Sequence, residues 1–164
     1  MSDPQPTQAQ VDEVLDVLAE YMDETMIALD VGSDLEADLE HDAGMVRIDL
    51  DGDRDDIALL IGKRGQTLDA IQYVANALVI TQCEAPLRVE IDAQGYRERR
   101  AGQLEKQADR AASEVMRRGR SVELEPMTSS ERKVVHLYLK DHPNVQTEST
   151  GRDPQRRVVV LPRD

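Results

Sequence analysis

The stretch IALLIGKRGQTLDAI, residues 57–71, sets Gly62-Lys63-Arg64-Gly65 between two apolar runs. Just upstream, DRDDIALLIG opens with acids suited to a helix N-terminus and reads as a short helix that Gly62 ends. Downstream, Leu68, Ile71, Val74, Ala75 and Leu78 recur at helical spacing, predicting a second helix from Gln66 to about Thr81. Between two such helices, the loop amides and the first N–H groups of the second helix are expected to be unpaired and to point outward. That arrangement attracts anions. Gly62 and Gly65 would let a sugar–phosphate chain lie close to the backbone, and Lys63 and Arg64 would add charge. Gln66 and Thr67 would start the helix whose amides face a phosphate. The tetrapeptide is short, and a tight interhelical turn with solvated cations fits it as well.

Working outward, Val11, Val14, Leu15, Leu18, Tyr21, Met22 and Met26 mark an amphipathic helix over about 9–27. The segment after it predicts a strand ending near Asp42–Gly44. MVRIDLDG alternates Val46, Ile48 and Leu50 against polar residues, a half-buried strand stopped by Asp-Gly. APLRVEIDA alternates Leu87, Val89 and Ile91 in the same way. The order helix, strand, strand, helix, GKRG, helix, strand lacks the repeated strand–helix–strand series of a doubly wound fold. It predicts an α+β module over 9–92, after a disordered polar tail at 1–8. Residues 93–164 predict a second small α+β domain. Its long helix, YRERRAGQLEKQADRAASEVMRRG, carries a stripe of Ala101, Leu104, Ala108, Ala111 and Val115. A short strand SVELEP follows, then the helix TSSERKVVHLYLKDH and the strands VQTEST and RRVVVLP, joined by the turn GRDPQ.

Charge resolves an apparent conflict. The 164-residue chain has a formal net charge of −13. Residues 1–59 hold 18 Asp/Glu and two Lys/Arg, net −16, whereas residues 60–164 hold 15 and 18, net +3. Ordinary salt screens fields over about 8–10 Å, so the acidic third does not prevent anion binding further along. The chain has four Tyr and no Phe or Trp, which argues against modules that stack bases on aromatic platforms. It shows no run of about 18 apolar residues and no signal-peptide pattern at its start. The single cysteine, Cys83, reads as a packed, reduced thiol. A cytoplasmic protein without stable membrane insertion is expected.

Arg132 and His136 lie four apart on a predicted helix and share a face. At about 100° per residue, His136 sits at about 40° from Arg132, Lys140 at about 80° and Lys133 at about 100°. Val134, Val135, Leu137, Tyr138 and Leu139 occupy the remaining arc, so the polar stripe is expected to lie opposite the core face. A solvated helix face is the plain alternative. Arg152, Arg156 and Arg157 lie near a hairpin that would flank this stripe, and arginine suits phosphate recognition. Other chemistries fail. Asp49, Asp51 and Asp53 begin an EF-hand spacing, but Arg54 stands where Gly is needed and Leu60 where Glu is needed. A Walker A loop would need Gly where Ile57 stands and Ser or Thr where Arg64 stands. No zinc spacing and no nucleophile–base arrangement is visible, so no cofactor and no catalytic residue is assigned.

Taken with IGKRGQTLDAIQYV, DAQGYRERR, PMTSSERKVVH and TESTGRDPQRRVVVLP, the chain resembles the Jag family over about residues 10–164. These bacterial RNA-binding proteins are also called SpoIIIJ-associated or KhpB/EloR proteins. The resemblance implies a type II KH domain whose GXXG loop clamps the backbone of single-stranded RNA. It implies a following domain named for an arginine–three–histidine signature, here called the Arg-x3-His domain, that binds single-stranded nucleic acid. In it Arg132 would contact phosphate and His136 would bond a phosphate or orient the arginine. Bases in KH modules rest on an aliphatic groove. Ile48, Ile57, Ile61 and Leu68 are candidates, with Ile61 the choice because the others fit a core. The resemblance further implies a small KH-only partner protein, and a role as post-transcriptional regulator or RNA chaperone linked to cell-envelope growth. Many members carry an extra N-terminal domain for which this sequence has only a short tail. The rival reading is a protein-interaction scaffold that uses the acidic N-terminal third, with a purely structural GXXG turn.

Overall fold

Alternating and helical periodicity decide the elements, and the computed structural model describes them for residues 6–31, 36–42 and 44–163. It divides into two units, Met1–Tyr96 and Arg97–Asp164. In the first, α1 (Gln8–Ala28) starts at a capping box: Thr7 Oγ1 accepts from the Gln10 N–H while Gln10 Oε1 accepts from the Thr7 N–H. Thr7 and Gln8 therefore belong to the helix start, whereas residues 1–5 of the expected tail lie outside the described residues. α1 buries Val11, Val14, Leu18 and Met22. β1 (Glu36–Asp42) pairs antiparallel with β2 (Met45–Asp51), and β2 pairs parallel with β3 (Arg88–Ala93). The alternation in β2 places Val46, Ile48 and Leu50 in the core.

Between β2 and β3 come α2 (Arg54–Ile61), a single 3-10 turn at Lys63–Gly65, and α3 (Gln66–Leu78). α3 continues as one π turn through Val79–Cys83, two residues past the expected end. α3 is held against β3 by side-chain amides. Asn76 donates to Val89 O and accepts from Val89 N–H, and Gln72 accepts from Ile91 N–H. These bonds pair backbone groups that an edge strand would leave open, and they fix the helix whose N-terminus closes the GKRG loop. Tyr21 Oη also donates to Ile71 O, tying α1 to α3. Cys83 is a free, buried thiol; burial, and then the nearby Glu13 charge, push it above its ordinary range.

The second unit takes most of α4 (Tyr96–Arg118), then β4 (Val122–Glu123), α5 (Ser129–Leu139), β5 (Val145–Thr150) and β6 (Arg157–Pro162). β6 is central, antiparallel to both β4 and β5. Its core joins Leu104, Ala108, Ala111, Ala112 and Val115 of α4 to Val135, Leu139, Val145, Val158 and Val160. Ala101, expected in that stripe, is only half-buried, and Ala112 takes a buried place. The division falls later than the expected break at 92/93. Ala93 is fully buried in the first core and Tyr96 packs against it.

Candidate nucleic-acid interface

The GKRG loop turns tightly because three of its four positions take positive φ. Gly62 has φ 68°, Arg64 has φ 56° and Gly65 has φ 77°. Both glycines have an internal reason. A Cβ on Gly62 would collide with Thr67 Oγ1, and one on Gly65 would lie 2.9 Å from Tyr96 Cε1. Gly65 is buried, so its missing side chain makes room for the Tyr96 ring, and close approach by an outside chain is not what requires it. The expected row of unpaired amides is corrected at three positions. Gly62 N–H donates to Ala58 O, Gly65 N–H to Gly62 O, and Gln66 N–H to Lys63 O. A 3-10 turn pairs amides that a looser connection would leave open. Lys63 and Gln66 are exposed, while Arg64 and Thr67 are half-buried. Ile61 is half-buried against the first core at the foot of the loop, whereas Ile48, Ile57 and Leu68 are buried core residues.

In the second unit, α5 begins at a second capping box, Thr128 with Glu131. Its core face is narrower than the periodicity suggests. Glu131, Arg132, Val135 and Leu139 are buried, while Leu137 is 59% exposed and Tyr138 donates from its hydroxyl to Asp109 of α4. Arg132 is thus corrected from an open stripe opposite the core to a residue only 7% exposed at the edge of that core. Its Nη1 donates to Met127 O at 2.9 Å and to Asp153 Oδ1 at 3.1 Å. His136 is half-buried against β5. Nδ1 lies 2.6 Å from Thr147 Oγ1 and Nε2 lies 2.7 Å from Ser149 Oγ.

Above these groups opens a cleft of about 370 Å³. Four expected residues line it: Arg132, Lys133, His136 and Arg156. Ser129, Leu137 and Ser149 complete the lining, which holds no carboxylate among the described residues. Arg156 Nε is shielded from solvent and has no hydrogen-bond partner among the described residues. Lys140, Arg152 and Arg157 do not line the cleft. Lys140 is exposed beyond the end of α5, Arg152 is exposed in the hairpin turn, and Arg157 pairs with Glu123 of β4 at 3.3 Å. Arg156 and Arg157 are neighbours in an extended chain, so they point to opposite sides.

Burial pushes the His136 imidazole below its ordinary value, and the Arg132 guanidinium adds to the effect. The folded state therefore prefers the neutral ring. As pH falls through about 6.5, the unfolded chain takes up a proton before the folded one does, so stability falls with pH in that window and levels off above it. Urea denaturation followed at α5 amides between about pH 7.5 and about pH 5.5 should show this decline. It should flatten in His136→Gln; an equal slope in both proteins would contradict the assignment.

The paired units define a protein with a KH domain and an Arg-x3-His domain. The family model of the KhpA/KhpB KH domain matches residues 11–91, and the family model of the Arg-x3-His domain matches residues 102–162. The chain is 37% identical over 145 residues to the RNA-binding protein KhpB of Clostridium symbiosum, covering 88% of this chain and 64% of that protein. It is 42% identical over 124 residues to the RNA-binding protein KhpB of Lactiplantibacillus plantarum, covering 76% and 38%. Against the RNA-binding protein KhpB of Bacillus subtilis it is 37% identical over 117 residues, covering 70% and 55%. The chain belongs to the Jag/KhpB family and spans between about two fifths and two thirds of these relatives' lengths. No helix among the described residues is long and apolar enough to cross a membrane.

Proposed function

We propose that this chain binds single-stranded RNA at two places, the GKRG loop and the Arg-x3-His cleft, and acts as a post-transcriptional regulator or RNA chaperone. The observation that carries the reading is the cleft: three cationic side chains and two hydroxyl residues line one opening without a carboxylate among the described residues. The relatives' names, RNA-binding protein KhpB, agree with it. At the loop, Lys63 and Arg64 bring charge to the turn, while Gly62 and Gly65 set its shape. Two modest sites on one chain gain affinity through effective concentration. About three neutralised phosphates at ~0.7 each give a log–log salt slope of about −2.

Replacing Lys63 and Arg64 by Asp, with both glycines kept, tests the loop. Arg64 sits at φ 56°, which aspartate tolerates better than most residues, so the turn should survive. Affinity for short mixed-sequence RNA should fall about tenfold while circular dichroism is unchanged. Undiminished affinity would remove the loop as an RNA site and leave the GXXG turn structural, as the rival scaffold reading has it. A protein contact outside the acidic N-terminal third has support of its own in the exposed side chains of Tyr73, 77% exposed, and Ile80, 65% exposed, along α3 and its π turn. A KH-only partner, implied by the family resemblance, would find that face available.

A further inference from the structure

We propose that Ser149 is the direct hydroxyl donor to the anion in the Arg-x3-His cleft, and that His136 is a positioning residue that aims it. This rests on the reading of the cleft as a nucleic-acid site and names a contact within it. The family resemblance would have His136 bond a phosphate or orient Arg132. The His136 ring leaves no nitrogen for either purpose, because Nδ1 is 2.6 Å from Thr147 Oγ1 and Nε2 is 2.7 Å from Ser149 Oγ. Thr147 and Ser149 are two apart on β5 and so face the same side. Of the two hydroxyl residues only Ser149 lines the cleft.

A neutral imidazole has one N–H donor and one acceptor nitrogen, so the three groups form a directional chain. Two directions exist. If Nε2 accepts from Ser149, the Ser149 hydrogen is spent inside and its oxygen lone pairs face the cleft. If Nε2–H donates to Ser149 Oγ, the Ser149 hydrogen is released toward the cleft and Thr147 donates to Nδ1. The cleft is lined by Arg132, Lys133 and Arg156, so the partner it attracts is an anion, and an anion takes a donor. The second direction is the one that satisfies every group. Arg132 cannot fill the same role in full, since its Nη1 is engaged by Met127 O and Asp153. Arg156 points the same way: it lines the cleft, and its shielded Nε, without a partner among the described residues, is a donor still to be satisfied.

The test uses the full chain. Ring nitrogen chemical shifts should report the Nε2–H tautomer at His136, free and with short single-stranded RNA bound. Ser149→Ala should weaken RNA binding about tenfold, the worth of one hydrogen bond to a charged group, and Ser149→Thr should restore it. Thr147→Val, which removes the hydroxyl that donates to Nδ1, should mix the tautomers and weaken binding severalfold. An Nδ1–H tautomer, or wild-type affinity in Ser149→Ala while Lys133→Glu binds weakly, overturns the aiming of Ser149 but leaves the cleft. Wild-type affinity in both Lys133→Glu and Arg156→Glu removes the cleft as a site, and this inference with it.

Discussion

Arg100→Met should cost the second unit about 3 kcal/mol, because it strands a buried carboxylate. Glu131 is 5% exposed overall, and its side chain 6%. One oxygen accepts from Arg100 Nε–H at 2.6 Å, and the other accepts from the Thr128 N–H in the capping box at 2.9 Å. The pair joins α4 to α5, so it also sets where the cleft-bearing helix lies. Breaking a buried pair from one side costs about 3–5 kcal/mol. The lower end applies here, because the Arg100 side chain is 21% exposed and water can reach the vacated place. Methionine keeps much of the apolar stem, which isolates the charge. Adding Glu131→Gln should recover most of the loss, since the amide oxygen still caps Thr128 and no charge remains to be solvated. Urea denaturation of the four proteins in a double-mutant cycle measures the coupling. A loss below about 0.5 kcal/mol in Arg100→Met would show the ion pair to be a surface pair in effect.

This ion pair is not legible in the sequence, and the reason is general to the candidate site. Periodicity locates each helix and strand, because apolar spacing in α1, β2, β3 and α4 is regular and burial follows it. On α5 the same rule assigns Leu137 and Tyr138 to the core and Arg132 to the outside. The fold does the reverse with Leu137 and Arg132. A wheel ranks side chains by polarity, whereas Arg132 can be buried because Met127 O, just before α5, and Asp153, in the β5–β6 turn, both accept from it. Ser149 and Thr147 give no signal of their own. Only the alternation of VQTEST, which puts both hydroxyls on one face, would have suggested a partner such as His136. Among the hairpin arginines, composition cannot say which of two neighbours turns inward. The chain entering β6 sends Arg156 to the cleft and Arg157 to Glu123.

Gly65→Ala should destabilise the first unit by roughly 2–5 kcal/mol, from two separable causes. The position has φ 77° and ψ 10°, a left-handed conformation that costs a residue with a Cβ about 1–2 kcal/mol. The new Cβ would also sit 2.9 Å from the edge of the Tyr96 ring, and overpacking of that kind costs about 1–3 kcal/mol. Tyr96 packs on the first core, so the ring cannot simply swing away. In a Tyr96→Leu background the contact cost should shrink and the backbone cost should remain, leaving a penalty of about 1–2 kcal/mol. Asparagine at position 65 tolerates the backbone but not the ring, so Gly65→Asn should keep the contact cost, lose most of the backbone cost and fall between Gly65→Ala and wild type. Urea denaturation followed at α3 amides measures all of these, and a Gly65→Ala loss under about 0.5 kcal/mol would remove the packing argument. The consequence reaches the RNA question. A glycine variant of this loop that loses RNA would be uninterpretable, because the turn, α3 and Tyr96 would be disturbed together. The Lys63 and Arg64 substitutions change charge on residues outside the buried contact and leave both glycines in place, so they can separate a clamp on the phosphate backbone from a turn that merely joins two helices.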